Sequence, residues 1–240
     1  METLAIPGRI LLGALSLVAP MRCAVCGQAV GRASRWPLCG RCEASIIDSS
    51  PGVAAPRCRV CGKPLISERG TCMRCRDSDF GFDSAFPLFQ YSGDARAAVL
   101  AYKSAGRRSL APFFATVLAE ALASRFPGRP VVPVPPRPGK LRRKGWDQVE
   151  DIVRSLERRH GVEASRILVR ADGTEQKALG LQGRAANMRG KIRVAEGLAS
   201  PEYPVLLDDV LTTGATLSEC AAALRRAGAI RVDAVAIAAD

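Results

Sequence analysis

The stretch YPVLLDDVLTTGATL spans residues 203–217. A short apolar run over 203–207 leads into two adjacent carboxylates, Asp208 and Asp209, and then into threonines grouped around Gly214. The apolar run reads as a buried strand, and the residues from Ala215 onward read as a helix. Gly214 frees the backbone to turn. A helix that starts there offers unpaired N–H groups and the positive end of its dipole, a combination that holds phosphate. Thr212, Thr213 and Thr216 add hydroxyl donors. Two carboxylates disfavour a phosphate, so they must face sugar hydroxyls, from which they accept, or a metal hydration shell. Residues Asp208, Asp209, Val210, Leu211, Thr212, Thr213, Gly214, Ala215 and Thr216 therefore read as one loop for a ribose 5-phosphate. The loop lacks the Gly-Lys-Ser/Thr of a P-loop, which argues against an ATP cradle.

Working outward from this loop, strand-like and helix-like segments alternate from about residue 81. SAFPLFQY (84–91), VVPVPP (131–136) and VDAVAIA (232–238) read as strands. Residues 94–105, 110–126, 146–160 and 215–227 read as helices. This order predicts an α/β fold with an open, mostly parallel sheet flanked by helices. Ligands of such sheets sit beyond the carboxyl ends of the strands, so the places to search follow Tyr91, Val134 and Leu207. After Val134 comes PPRPGKLRRKGWDQ (135–148), read as a basic loop placed where a second phosphate would lie. The segment TEQKALGLQGRAANMRG (174–190) reads as a lid that excludes water from the site.

All but one of the nine cysteines fall in Cys-x-x-Cys pairs. RCAVCGQAV at 22–30 recurs as RCRVCGKPL at 57–65, and LCGRC at 38–42 recurs as TCMRC at 71–75, so one small unit is duplicated. A Cys-x-x-Cys turn presents two thiolates to one metal, and two such knuckles complete a closed, structural Cys₄ zinc site. The expected ligand sets are Cys23, Cys26, Cys39 and Cys42 for one zinc, and Cys58, Cys61, Cys72 and Cys75 for the other. The spacing leaves an interleaved pairing of the knuckles open as the alternative. So small a region needs its metal to fold. Cys220 stands apart on an expected helix and reads as a small buried apolar residue.

The chain has 240 residues, is 48% hydrophobic and carries a formal net charge of +12. That length holds one full domain and something smaller. The positive charge draws polyanions such as nucleic acid, nucleotides or phosphorylated sugars. Basic residues concentrate over 137–193, whereas 194–240 is net acidic. No apolar run is long enough to span a membrane. ILLGALSLVAP (10–20) reads as a short apolar helix packed on the protein or touching a membrane surface. The paired thiols suit the reducing cytoplasm better than secretion. The resulting division is a short N-terminal helix over 1–20, a double zinc ribbon over 21–78 and an α/β domain over 81–240.

Together these segments resemble the ComF family of competence-associated phosphoribosyltransferase-like proteins. The double zinc ribbon, Tyr91…Lys103…Gly106, VVPVPP, RRKGWDQ, Gln176…Arg184…Asn187 and VLLDDVLTTGAT occur in the family's order along nearly the whole chain. The resemblance implies a type I phosphoribosyltransferase fold. It also implies a magnesium-dependent transfer of a phosphoribosyl group from 5-phosphoribosyl-1-pyrophosphate (PRPP) to an unidentified acceptor. In that reading Asp208 and Asp209 bind the ribose hydroxyls and Thr212 to Thr216 the 5-phosphate. Pro135, Pro136 and Arg137 meet the pyrophosphate with Mg²⁺ bridging it. Lys103, Arg142, Arg143 and the lid residues Gln176, Arg184 and Asn187 make further phosphate or substrate contacts. The family pattern Arg-Gly-Phe-Asn-Gln departs here to Lys144-Gly145-Trp146-Asp147-Gln148. The family's link to competence also motivates an alternative: a protein that binds single-stranded DNA on the same scaffold, with an uptake-machinery protein as a further partner.

Overall fold

The computed structural model describes residues 21–31, 34–50, 56–170 and 191–240. The expected helix over 1–20 and the lid residues Gln176, Arg184 and Asn187 lie outside the described residues.

Four parallel strands form the central sheet. They are β1 (Ser84–Gln90), β2 (Val131–Pro133), β5 (Val205–Leu211) and β6 (Asp233–Ala239), in the spatial order β1-β6-β5-β2. A second, two-stranded antiparallel sheet pairs β3 (Leu168–Arg170) with β4 (Ile192–Val194). β6 is buried along all but its last residue. Its sequence DAVAIAA is a near-continuous run of small apolar residues, as a parallel strand covered on both faces requires. The expected strand at 203–207 runs further than its apolar stretch. β5 stays paired with β6 as far as Leu211 opposite Ala239, so Asp208 and Asp209 are strand residues. Backbone pairing to β6 carries the strand through two side chains that would favour a loop.

Helices cover both faces. On one side lie α3 (Gly93–Lys103), α4 (Ala111–Arg125) and α6 (Gln148–His160); on the other lie α7 (Ala215–Arg226) and the β3–β4 sheet. α6 shows how sequence and packing agree. Val149, Ile152, Val153 and Leu156 are buried at helical spacing, Asp147 accepts a hydrogen bond from the Val149 N–H at 3.1 Å as N-cap, and Gly161 closes the helix in the left-handed region. The basic segment read as a loop contains a helix of its own, α5 (Pro138–Lys144). Pro at its first turn and a left-handed Gly145 at its end bound it. Charge masked these two signals.

The duplicated units fold alike. In each, the N–H of the glycine after the knuckle donates to the carbonyl of the first cysteine at 3.0 Å, Gly27 to Cys23 and Gly62 to Cys58. Each adds a short helix, α1 (Gly40–Asp48) and α2 (Met73–Arg76). They pack on opposite faces of the sheet. Trp36, Leu38 and Ile46 of the first join the core under α3 and α4, where Trp36 meets Phe113 edge-on at 6.0 Å. The cysteines of the second join the core with Ala85, Leu211 and Leu217. The second unit is also hydrogen-bonded to β1, the Ala85 N–H donating to the Val60 carbonyl at 2.6 Å. Gly62 lies so close to β1 that a Cβ there would fall 2.4 Å from the Ala85 carbonyl oxygen.

Candidate functional site

The carboxyl ends of β5 and β2 open onto a cavity of about 700 Å³. Pro135, Pro136 and Arg137 enter it from the end of β2, and Asp208, Asp209 and Val210 from β5. Thr212 and Thr216 enter from the turn into α7, Lys103 from the end of α3, and Arg143 from α5. Residues from five sequence segments thus meet at the strand ends. Arg142, grouped with Arg143 from sequence, does not line the cavity and is exposed on α5. Leu211 at the end of β5, Thr213 and Gly214 in the turn and Ala215 at the start of α7 do not line it. Gly214 sits at φ +77° with the Phe80 ring 2.8 Å from where a Cβ would stand. Gly214→Ala should therefore cost more than about 1 kcal/mol, because it adds both a left-handed penalty and a clash. Denaturant midpoints beside wild type would show it.

The two carboxylates do not compete for one position. Successive strand side chains point to opposite faces. Asp209 turns toward α3 and α6, where it is buried, ion-paired to Lys103 Nζ at 2.8 Å and bonded by Gln148 Nε2 at 2.7 Å. Asp208 lies toward the α7 face, near enough to Cys220 to act on its thiol electrostatically, and Arg170 acts on the same thiol in the opposite sense. Burial, reinforced by Asp208, pushes the Cys220 thiol up, so this fully buried cysteine stays a neutral, unreactive core residue.

Several lining residues escaped the functional reading of the sequence. Tyr91 follows β1, Lys144 ends α5, Asp147 and Gln148 open α6, and Arg170 ends β3. The signals for Tyr91, Lys144, Asp147 and Gln148 lay in the Tyr91…Lys103 and RRKGWDQ segments. Arg170 carried none, being one cation on a strand too short to read. Asp147 has an evident local task, the α6 cap. Asn caps as well as Asp, so Asp147→Asn should leave stability within a few tenths of a kcal/mol, while Asp147→Ala should lose about 1 kcal/mol. Thermal unfolding of the two variants distinguishes them. Gln148 is almost wholly buried, and while its amide nitrogen serves Asp209, its Oε1 meets no hydrogen-bond partner among the described residues.

The cysteines form two clusters, and the sulfurs of each set lie within 4.8 Å of one another: Cys23, Cys26, Cys39 and Cys42, then Cys58, Cys61, Cys72 and Cys75. This settles the pairing of knuckles. Cys26 and Cys39 are 3.6 Å apart and Cys61 and Cys72 3.8 Å, the spacing of a tetrahedron with metal–sulfur bonds of about 2.3 Å. Burial pushes the Cys23 and Cys58 thiols up, but backbone N–H groups from both knuckles of each site outweigh it and bring them to about 6 and about 7. Burial and the neighbouring sulfurs push Cys42 and Cys75 well up. Thiolates this close repel, and a zinc ion resolves that repulsion. The donor sets fit two structural Zn²⁺.

Comparison with known proteins agrees. The double zinc ribbon domain family matches residues 14–76. The competence protein ComFC of Streptococcus pneumoniae is 24% identical over 225 residues, which cover 87% of this chain and 96% of that protein. Over most of its length, then, the chain is similar to that ComFC. Among solved structures, a hypoxanthine phosphoribosyltransferase from Staphylococcus aureus matches with a TM-score of 0.31 at 14% identity. One from Trypanosoma cruzi matches with a TM-score of 0.34 at 12% identity. Each likeness covers 54% of this chain and 62% of the other, so the ComFC-like chain spans under two thirds of those enzymes. Its architecture is a parallel sheet flanked by helices, with two Cys₄ clusters in the region that matches the double zinc ribbon family. Among the described residues no helix is long and apolar enough to cross a membrane.

Proposed function

We propose that this ComFC-like chain binds PRPP with Mg²⁺ and transfers its phosphoribosyl group to an acceptor in the cytoplasm. The observation that carries the reading is one cavity lined by Asp208 and Asp209, by Thr212 and Thr216, and by Pro135 to Arg137. The carboxylates accept from the ribose hydroxyls. The threonines and the start of α7 hold the 5-phosphate. Arg137, Arg143, Lys144 and Lys103 gather positive charge on the side where pyrophosphate leaves. The carboxylate oxygens suit a hard divalent cation, and Mg²⁺ bound with PRPP supplies charge neutralisation on the leaving group. Gln148 and Lys103 hold Asp209 in place before substrate arrives.

Isothermal titration of the zinc-loaded chain with PRPP and Mg²⁺ tests the reading, and absence of binding overturns it. A second reading rests on the net charge of +12 and on the relative's competence name: single-stranded DNA held by the basic surface. Salt-dependent gel shifts with single-stranded oligonucleotides, without PRPP binding, would favour it.

A further inference from the structure

α6 carries a second polar cluster, on the side that faces the start of α4. Asp151, Ser155, Arg158 and Arg159 stand there at helical spacing. With the first turn of α4, and with Arg108 of the 3₁₀ turn before it, they line a cavity of about 400 Å³. None of its lining residues lines the PRPP cavity. Ser155 is 2% exposed, and its Oγ has no hydrogen-bond partner among the described residues. A buried helical serine ordinarily returns its proton to a carbonyl of the preceding turn, so this one keeps a donor for another group.

The charges of the lining do not cancel. Asp151 is its one carboxylate, and Arg108 already holds it, Nη2 donating to Oδ1 at 2.6 Å and Nε to Oδ2 at 3.3 Å. That pair does not use the Nη1 of Arg108. Glu157, on which Arg158 acts electrostatically, is bonded through both oxygens to Arg166. Arg158 and Arg159 make no ion pair among the described residues. Two guanidiniums therefore remain in excess, beside a buried hydroxyl. The first turn of α4 adds the positive end of its dipole but no donor at Ala111 or Pro112. The Ala111 N–H serves the Arg108 carbonyl, and proline has none.

We propose that this cavity is a second anion site, that it takes the phosphate of a small phosphomonoester, and that its occupant weakens PRPP binding. A dianion matches the two cations in excess, and guanidiniums give it forked, charge-assisted hydrogen bonds. The volume falls within the roughly 300–1,000 Å³ of small-molecule pockets, so a nucleoside monophosphate has room there. The site itself is independent of the PRPP reading, whereas its effect on PRPP rests on that reading. Tyr102 Oη donates to the Gln148 carbonyl at 2.7 Å and lies 3.4 Å from Asp151 Oδ2. Gln148 gives its Nε2 to Asp209, and Lys103, next to Tyr102, pairs with the same carboxylate. An anion bound at Arg108 draws that guanidinium from Asp151. The Asp151 charge then falls on Tyr102, the bond that fixes the first turn of α6 weakens, and Asp209 loses part of its support. By linkage PRPP weakens the anion by the same factor.

The test uses the full zinc-loaded chain and two probes, inorganic phosphate and adenosine 5′-monophosphate. Calorimetry follows each probe into the chain alone and into the chain saturated with PRPP and Mg²⁺, and follows PRPP at rising fixed probe concentrations. At least one probe should bind the PRPP-saturated chain and raise the apparent Kd of PRPP to a plateau of about fivefold. Arg158→Ala with Arg159→Ala should weaken that probe by about tenfold or more, and Ser155→Ala by about fivefold. Without probe, both variants should bind PRPP within about twofold of wild type, since neither alters the PRPP cavity. Ser155→Ala should also hold its melting temperature, because the hydroxyl that it removes is unpaired. The site is overturned if no probe binds the PRPP-saturated chain, if the variants bind the probe as wild type does, or if the Kd of PRPP rises without limit, as competition inside the PRPP cavity requires. A probe that binds without changing PRPP affinity overturns the effector role. If PRPP itself does not bind, the PRPP reading falls with the effector role, and loss of the probe from the variants alone still decides the site.

Discussion

Cys58→Ser is expected to release the zinc of the second ribbon, lower the melting temperature and weaken PRPP binding together. The ribbon has little apolar core beyond its own cysteines, and structural zinc sites contribute roughly 10–16 kcal/mol to folding at neutral pH. Losing one ligand forfeits much of that. Cys58, Cys61, Cys72 and Cys75 are buried in the same core as Ala85, Leu211 and Leu217, so disorder in the ribbon reaches the β1 edge and the end of β5. A loss above about 4 kcal/mol is expected, which for a chain of this size lowers the melting temperature by on the order of 10 °C. Zinc released by the denatured protein should fall from two per chain to one. Cys42→Ser should match this in zinc and stability but not in PRPP affinity, because the first ribbon packs under α3 and α4 and does not share the core cluster of Leu211 and Leu217. Two zinc per chain and an unchanged melting temperature in Cys58→Ser would sink the assignment.

That contrast between the ribbons was not legible in the sequence. The repeat of RCAVCGQAV as RCRVCGKPL showed the duplication and the ligand types, because Cys-x-x-Cys chemistry is local. It could not show that the copies divide between the two faces of one sheet, which depends on contacts between residues far apart in the chain. The strands followed the same rule. β6 and the apolar start of β5 announced themselves by composition, but the continuation of β5 through Asp208 and Asp209 depends on pairing with β6. Within the candidate site, the residues carried by patterned segments were recoverable and Arg170 was not. α5 was recoverable in principle, since Pro138 and Gly145 bracket it, but five basic residues and no acid between 137 and 144 read as solvated chain. The cavity between α4 and α6 is also a product of tertiary structure, assembled from two helices and the turn before the first of them.

Asp208→Asn with Asp209→Asn is expected to reduce PRPP affinity at least 100-fold. Hydrogen bonds to a charged acceptor contribute about 1.5–3 kcal/mol each, and the double variant removes two such acceptors facing the ribose. Asp209 also supports the fold, so stability must be separated from binding. Its carboxylate is 8% exposed and meets Lys103 at 2.8 Å, while Lys103 itself is 31% exposed. Neutralising Asp209 leaves the Lys103 ammonium without its partner and weakens the bond from Gln148 Nε2. Solvent reaches Lys103, so the cost is about 1–2 kcal/mol rather than the 3–5 kcal/mol of a fully buried pair. Removing both charges, as Lys103→Met with Asp209→Asn, should recover most of that stability, because no unpaired ion remains. It should not recover PRPP affinity if the carboxylate meets the ribose directly. A variant as stable as wild type that still binds PRPP within threefold of wild type would show that Asp209 is a strut for α3 and α6 and not a ligand contact.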